Sequence, residues 1–323
     1  MLVTVVGNYP KIPNLPRPAR LRNAFARLDR GQITPEELAK VEDEVTIEVL
    51  KEQADAGVEL LTDGQVRWFD EQTYIAGKLG GVEINGLIRF FDTNTYYREP
   101  IINGPVAWRE PILIRDYAFA RDNASRPVKP VLTGPYTLAR LCRNDHYSSF
   151  EDVAFGLAEA LNAEAKALAA EDPPLIQFNE PAITRHPEDA RLAESIWRRL
   201  LSGLSGETAV SFYFGPPGDA VAAALNAGFT TVGVDTTIPG VLDAIAAGPK
   251  PPKLAAGIMD SRTTRLEDVD VLAGHVEAAA ALAGSDNLYV NPNIGLEFLP
   301  REQAQAKLVR LVEGVNKARG GAK

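Results

Sequence analysis

From Ser148 onward the chain repeats one unit: an Ala/Leu-rich stretch at helical spacing, a short apolar run, then an abrupt polar stop. The plainest copy is Pro173 to Ile183. There Leu175 to Phe178 reads as a buried strand, and Pro181, which has no N–H for a sheet ladder, ends it. Asn179 and Glu180 stand where that strand stops. Further runs follow at Ala209–Phe214, Thr231–Val234, Lys253–Ile258 and Leu288–Val290, separated by helical segments that include Val269–Ala283. Strands that alternate with helices imply a parallel sheet.

The N-terminal half carries the same unit less regularly. Leu2–Val6, Val58–Thr62 and Val128–Leu132 read as strands, ended by Gly7-Asn8, Asp63-Gly64-Gln65-Val66-Arg67 and Thr133-Gly134-Pro135. Thr34-Pro35-Glu36-Glu37 opens a helix, with Thr as the cap, Pro in the first turn and Glu three residues on. Ser148 and Glu151 read as the start of the long helix that precedes Pro173. Residues 82–110 break the pattern. They are rich in Ile, Phe, Tyr and Thr and carry Asn85-Gly86 and Asn103-Gly104, so they read as an antiparallel hairpin excursion. Eight or nine candidate strands in 323 residues favour one α/β domain over 1–323, a closed (β/α)8 TIM barrel. No Gly-x-Gly-x-x-Gly follows a strand, which argues against a dinucleotide fold.

Composition narrows the partners. The net charge of −9, without a basic run, disfavours nucleic acid and anionic membranes. A single cysteine, Cys142, excludes an internal disulfide and a Cys-rich metal centre, and it reads as a packed small residue. His146, His186 and His275 have no ligand spacing. The apolar start is too short for a signal peptide, so the expected compartment is the cytoplasm.

In a barrel the chemistry gathers at the C-terminal ends of the strands. The polar residues there are Asn8, Asp63, Gln65, Arg67, Thr133, Asn179, Glu180, Ser211, Tyr213, Asp235, Asp260, Arg262, Asn291 and Asn293. Each alone could be a turn residue or helix cap. As a set they outline a mouth for a small-molecule substrate. Glu180 and Asp235, with Tyr213, are the candidates for acid–base work, and the others for substrate binding.

Five strand-end motifs, in order, resemble the catalytic barrel of cobalamin-independent methionine synthase. Val6-Gly7-Asn8-Tyr9-Pro10 is similar to Ile-Gly-Ser-Phe-Pro, and Thr62-Asp63-Gly64-Gln65-Val66-Arg67 to a Gly-Glu-x-x-Arg segment. Leu132-Thr133-Gly134-Pro135-Tyr136-Thr137 resembles Leu-Thr-Gly-Pro-Val-Thr. Gln177-Phe178-Asn179-Glu180-Pro181-Ala182 resembles Gln-Ile-Asp-Glu-Pro-Ala, and Val290 to Leu296 resembles Val-Asn-Pro-Asp-Cys-Gly-Leu. The length is similar to that of the short, single-barrel members.

The resemblance implies a methyltransferase that activates a thiol on zinc, and the departures bear on that zinc. The positions of the family's His-x-Cys ligands, glutamate and second cysteine are Ser211, Tyr213, Asp235 and Ile294. Zinc is therefore expected to be absent, and no cofactor tightly bound. The positions that hold the substrate's amino group in the family are Gln65 and Asn179, amides in place of carboxylates. The folate-stacking aromatic is replaced by Leu141. The resemblance leaves methylcobalamin, brought by a corrinoid protein, or a methyl-folate as alternatives for the methyl donor. It leads to a zinc-independent methyltransferase with an altered acceptor. A non-catalytic ligand-binding or regulatory barrel, or a lyase or decarboxylase reusing the pocket, are the other readings.

Overall fold

A computed structural model describes residues 1–321 of the protein. Seven strands form one parallel sheet in spatial order Leu2–Val3, Leu288–Pro292, Lys253–Met259, Thr231–Asp235, Thr208–Phe212, Ile176–Asn179 and Val131–Thr133. The expected strand near Val58–Thr62 supplies the missing stave. It is reduced to two parallel bridges, Thr4 with Leu60 and Leu61 with Val128, and these close the ring. Its ladder is short because a side chain takes over. The buried Gln53 amide donates to the Thr62 carbonyl (2.9 Å) and accepts from the Thr62 N–H (3.2 Å). Central strands such as Thr208–Phe212 and Thr231–Asp235 are buried along their whole length, as expected of staves packed on both faces.

The helices follow their caps. Thr34 and Glu37 form the reciprocal capping box of the Pro35–Asp55 helix. Ser148 and Ser149 both have an acidic residue three positions on, and the helix Phe150–Ala169 uses the second: Ser149 Oγ accepts from Asp152 N. Val269–Ala283 is a helix with the expected limits, capped by Asp268. Short helices at Arg20–Asp29, Glu71–Ala76 and Pro135–Leu141 were not expected from the sequence. No helix among the described residues is long and apolar enough to cross a membrane.

The excursion is a long antiparallel pair, Gly80–Arg89 with Tyr96–Ala107, and its turn lies at 90–95. Neither Asn-Gly pair makes the turn. Asn85-Gly86 lies in a register shift between Ile84 and Leu87. Asn103-Gly104 faces a second irregularity, where Gly81 has φ +75° and a Cβ would come within 2.3 Å of the Pro105 carbonyl oxygen. The Asn-Gly pairs thus mark bulges, which sharpen the twist of the ribbon.

Candidate functional site

The strand ends converge as a barrel requires. Asn8, Gln65, Thr133, Asn179, Ser211, Tyr213, Asp235, Asn291 and Asn293 are all buried. Several are tied together. Gln177 Nε2 donates to Asn179 Oδ1 (2.8 Å) and to the Val6 carbonyl (2.6 Å). Asn293 Nδ2 donates to Asp235 Oδ2 (3.1 Å), and Thr237 Oγ1 and N donate to Asp235 Oδ1. Burial pushes the Asp235 carboxyl above its usual range. Ser211 and Asn291 line a void of about 10 Å³ inside the barrel with Gln177 and Gly233.

Gln65 is set apart. The turn Asp63-Gly64-Gln65 puts Gln65 at φ +52° and seats its amide against Gly7. It is 1% exposed, and neither Oε1 nor Nε2 has a hydrogen-bond partner in the protein. Such a group costs free energy until something pairs with it.

Four expected residues serve elsewhere. Glu180 is fully buried, with Oε1 accepting from Tyr136 N (3.1 Å) and Trp197 Nε1 (2.8 Å), and Oε2 from Thr137 N (2.7 Å). Its carboxylate holds the first turn of the Pro135–Leu141 helix, and burial pushes its pKa up to about 7. A Cβ on Gly134 would lie 2.2 Å from the Glu180 carboxyl carbon, so that position has room only for glycine. Asp63 Oδ1 caps its own turn at Gln65 N, and its carboxyl lies in a crevice with Trp68, Asp116 and Lys129. Arg67 is buried in an ion-pair cluster with Asp43 and Asp116. Arg262 is half exposed and pairs with Asp260 at 3.1 Å.

The sequence reading missed the most polar part of the mouth. A cavity of about 390 Å³ opens beside Asn8, bounded by the Pro10–Ile12 loop, Phe69 to Gln72, the excursion turn and Glu297. Glu71 Oε1 accepts from Asn8 Nδ2 at 2.7 Å, and Tyr213 OH approaches Glu71 Oε2 at 3.4 Å. Glu297 Oε2 and Gln72 Nε2 have no partner in the protein. Burial, reinforced by the charge of Glu71, pushes Glu297 up to about 8. Burial outweighs the donors Asn8 and Tyr213 and pushes Glu71 up to about 7. Lys11, whose ammonium donates to the Trp68 carbonyl, is pushed down to about 8 by burial. The signal for Glu71 was present in Asp70-x-x-Thr73, a cap that puts Glu71 in a helical first turn just past a strand end. Glu297 follows the Asn291–Gly295 stop by two residues and left no pattern of its own.

The four positions that the resemblance assigns to zinc ligands form a different kind of surface. Tyr213 and Ile294 pack with Val6, flanked by Phe214 and Phe298. The Tyr213 phenol is held protonated by burial and by Glu71. Ser211 offers a neutral hydroxyl, and Asp235 is occupied by Thr237 and Asn293. Among the described residues no group of three or more His, Cys, Asp or Glu is placed to hold a metal. Leu141 is partly buried, and its carbonyl accepts from Tyr97 OH at 3.1 Å.

Comparison with known proteins follows the same lines. The profile of the family described as "Cobalamin-independent synthase, Catalytic domain" matches residues 1–201 and 222–317. The methionine synthase of Sulfurisphaera tokodaii is 29% identical over 320 residues, covering 96% of this chain and 90% of that protein. That of Thermococcus kodakarensis is 27% identical over 325 residues, covering 97% and 91%. A B12-independent methionine synthase from Shewanella sp. W3-18-1, solved with selenomethionine, superposes with a TM-score of 0.82 at 23% identity and covers 99% of this chain and 98% of its own. At that identity the likeness speaks for the fold.

Proposed function

The chain belongs to the cobalamin-independent synthase catalytic-domain family, and from that premise we propose that it is a methyltransferase working without protein-held zinc on an acceptor other than free homocysteine. One observation carries the reading: at the positions that the resemblance assigns to zinc ligands, Tyr213 and Ile294 fill the space with apolar packing, and the Tyr213 hydroxyl turns to Glu71. Zinc sites use three or four strong donors, and here Asp235 alone is of that kind. Elemental analysis of protein purified without added metal is expected to give well under one zinc per chain. A full, chelator-resistant equivalent would refute this part.

The acceptor follows from charge. An ammonium buried against Gln65 and Asn179 meets amides, and losing one partner of a buried ion pair costs about 3–5 kcal/mol. Asn179 Oδ1 is in any case taken by Gln177. The Gln65 amide, with both atoms free, suits a neutral group that donates and accepts. Glu180 and Asp235, expected from the sequence to do acid–base work, serve in this reading as supports of the mouth, their oxygens taken by Tyr136, Thr137, Trp197, Thr237 and Asn293, while Asn8, Gln65 and Tyr213 face the substrate. The family's cobalamin-independent character lends no support to a corrinoid donor or partner. Calorimetric titration with homocysteine and methionine is expected to show weak or no binding to the wild type and a gain in the Gln65→Glu, Asn179→Asp double variant. Micromolar binding by the wild type, lost in the double variant, would reverse the reading.

A further inference from the structure

The cavity under the excursion has a composition that the methyl-transfer reading does not use. Its floor is acidic: Glu71 and Glu297 both line it and their charges interact, and Oε2 of Glu297, buried against Gly295, is unpartnered. Its walls are aromatic: Phe69, Phe90, Tyr96 and Tyr97. Phe90 and Tyr97 are braced edge-on, 6.3 Å between ring centres, and Phe90 meets Phe214 in the same way at 5.9 Å. Gln72, 1% exposed, also lines the cavity and brings an unpartnered Nε2. These are marks of a binding site: a cleft, an aromatic wall in which Phe90 and Tyr97 are buried and braced while Phe69 and Tyr96 are largely exposed, and polar atoms buried without partners.

Carboxylates below aromatic faces select positive charge on an apolar body. The carboxylates attract the charge, and the ring faces attract alkyl groups that carry part of it. We propose that this cavity binds a small alkylated ammonium ion, its charge held by Glu71 and Glu297 and its alkyl groups against Phe69, Phe90, Tyr96 and Tyr97. The inference shares Asn8 with the methyl-transfer reading but is tested apart from it, because it concerns binding alone and involves neither zinc nor turnover.

Charge in the cavity supports the assignment and gives it a pH signature. The groups that face the pair are Lys11, Asp70 and Tyr213, with Asp63 and Glu42 acting on Lys11. In acid, both carboxyls are protonated and Lys11 repels a cation. As pH rises through the raised values of Glu71 and Glu297, the floor becomes negative. Lys11, depressed to about 8, loses its charge over the same interval. A cation therefore binds with proton release, and its affinity increases with pH across the range from about 6 to about 9.

The test uses the wild-type chain with choline as probe and 3,3-dimethylbutan-1-ol, its neutral carbon analogue, as control, both titrated by calorimetry. Choline is expected to bind at least about tenfold more tightly than the analogue at about pH 9, and to weaken about tenfold toward pH 6. Glu297→Gln and Phe90→Leu, each checked for a wild-type circular dichroism spectrum, are expected to lose most of that preference. Equal affinity for the two probes, no choline binding, or an affinity that falls as pH rises would each overturn the proposal. The first two comparisons need no variant, so a misfolded mutant cannot shelter it.

Discussion

Replacing Glu180 separates a holding role from a chemical one. The side chain is fully buried and its two oxygens meet three N–H donors: Tyr136 N, Thr137 N and the Trp197 indole. Glu180→Ala strands all three. A buried donor left without an acceptor costs about 1–3 kcal/mol, and water entering the vacated space returns part of that, so the loss should be about 3–6 kcal/mol. That is a large share of the roughly 5–15 kcal/mol that holds a typical protein folded. Glu180→Gln keeps one oxygen and turns an NH2 toward a donor, so it should lose about 1–3 kcal/mol. Urea unfolding followed by tryptophan fluorescence reads both, with Trp197 itself among the reporters. The order wild type, Gln, Ala is expected in the midpoints. A Glu180→Gln protein that unfolds at the wild-type midpoint would refute the claim that these hydrogen bonds hold the Pro135–Leu141 helix.

Gly134→Ala should be at least as damaging as Glu180→Gln, because its Cβ would lie 2.2 Å from the Glu180 carboxyl carbon; combined with Glu180→Ala it should cost less than the sum, and strict additivity in urea midpoints would disprove the clash. Glu164 likewise serves three donors, Trp108 Nε1, Ile112 N and Leu113 N, where the excursion returns to the barrel. Glu164→Ala should therefore speed hydrogen exchange and proteolysis around 105–115, and unchanged protection there would rule this anchor out. Glu71, Glu180, Glu297 and Asp63 all have folded pKa values raised by burial, to about 7, 7, 8 and 6. For acids raised in this way the stabilising effect is complete below their unfolded values, near about 4, and is lost as pH climbs through the folded values. Thermal midpoints of the ligand-free protein should therefore fall between about pH 5 and about pH 7, below the range where the depressed Lys129 and Lys11 act in the opposite sense, and less steeply in Glu71→Gln, Glu297→Gln; a midpoint that rises over that range would contradict the burial of these carboxyls.

The fold was legible where local chemistry and tertiary structure ask for the same thing. Thr34 and Asp268 cap the helices their neighbours predict, and Pro181 ends its strand for a reason internal to the residue. Legibility failed where one residue type has two uses. Asn-Gly signals a tight turn or a bulge, and nothing local in 82–110 says that both pairs are bulges and that the turn is Phe90–Thr95. The candidate site divides in the same way. Residues within two positions of a strand stop, such as Asn8, Asn179 and Tyr213, could be placed at the mouth from strand order. Glu71 reaches it from the first turn of the Glu71–Ala76 helix and Glu297 from the loop after Gly295, and Glu180 is drawn off by Trp197, whose position depends on helix packing.

Hydrogen-bond saturation then separates the buried carboxylates by task. Glu164 and Glu180 meet three N–H donors each, and Asp235 meets two N–H groups and a hydroxyl. A ligand could take those oxygens only by breaking the backbone contacts that shape the barrel. Glu71 has one short amide contact and one long phenol contact, and Glu297 leaves an oxygen with none. Burying such a group costs folding energy with no return inside the chain. Such an imbalance is corrected by water, an ion or a ligand that completes the pairing. The same holds for the Gln65 amide deeper in the mouth, which is neutral. The unsatisfied groups thus include a neutral amide at Gln65 and an acidic oxygen at Glu297.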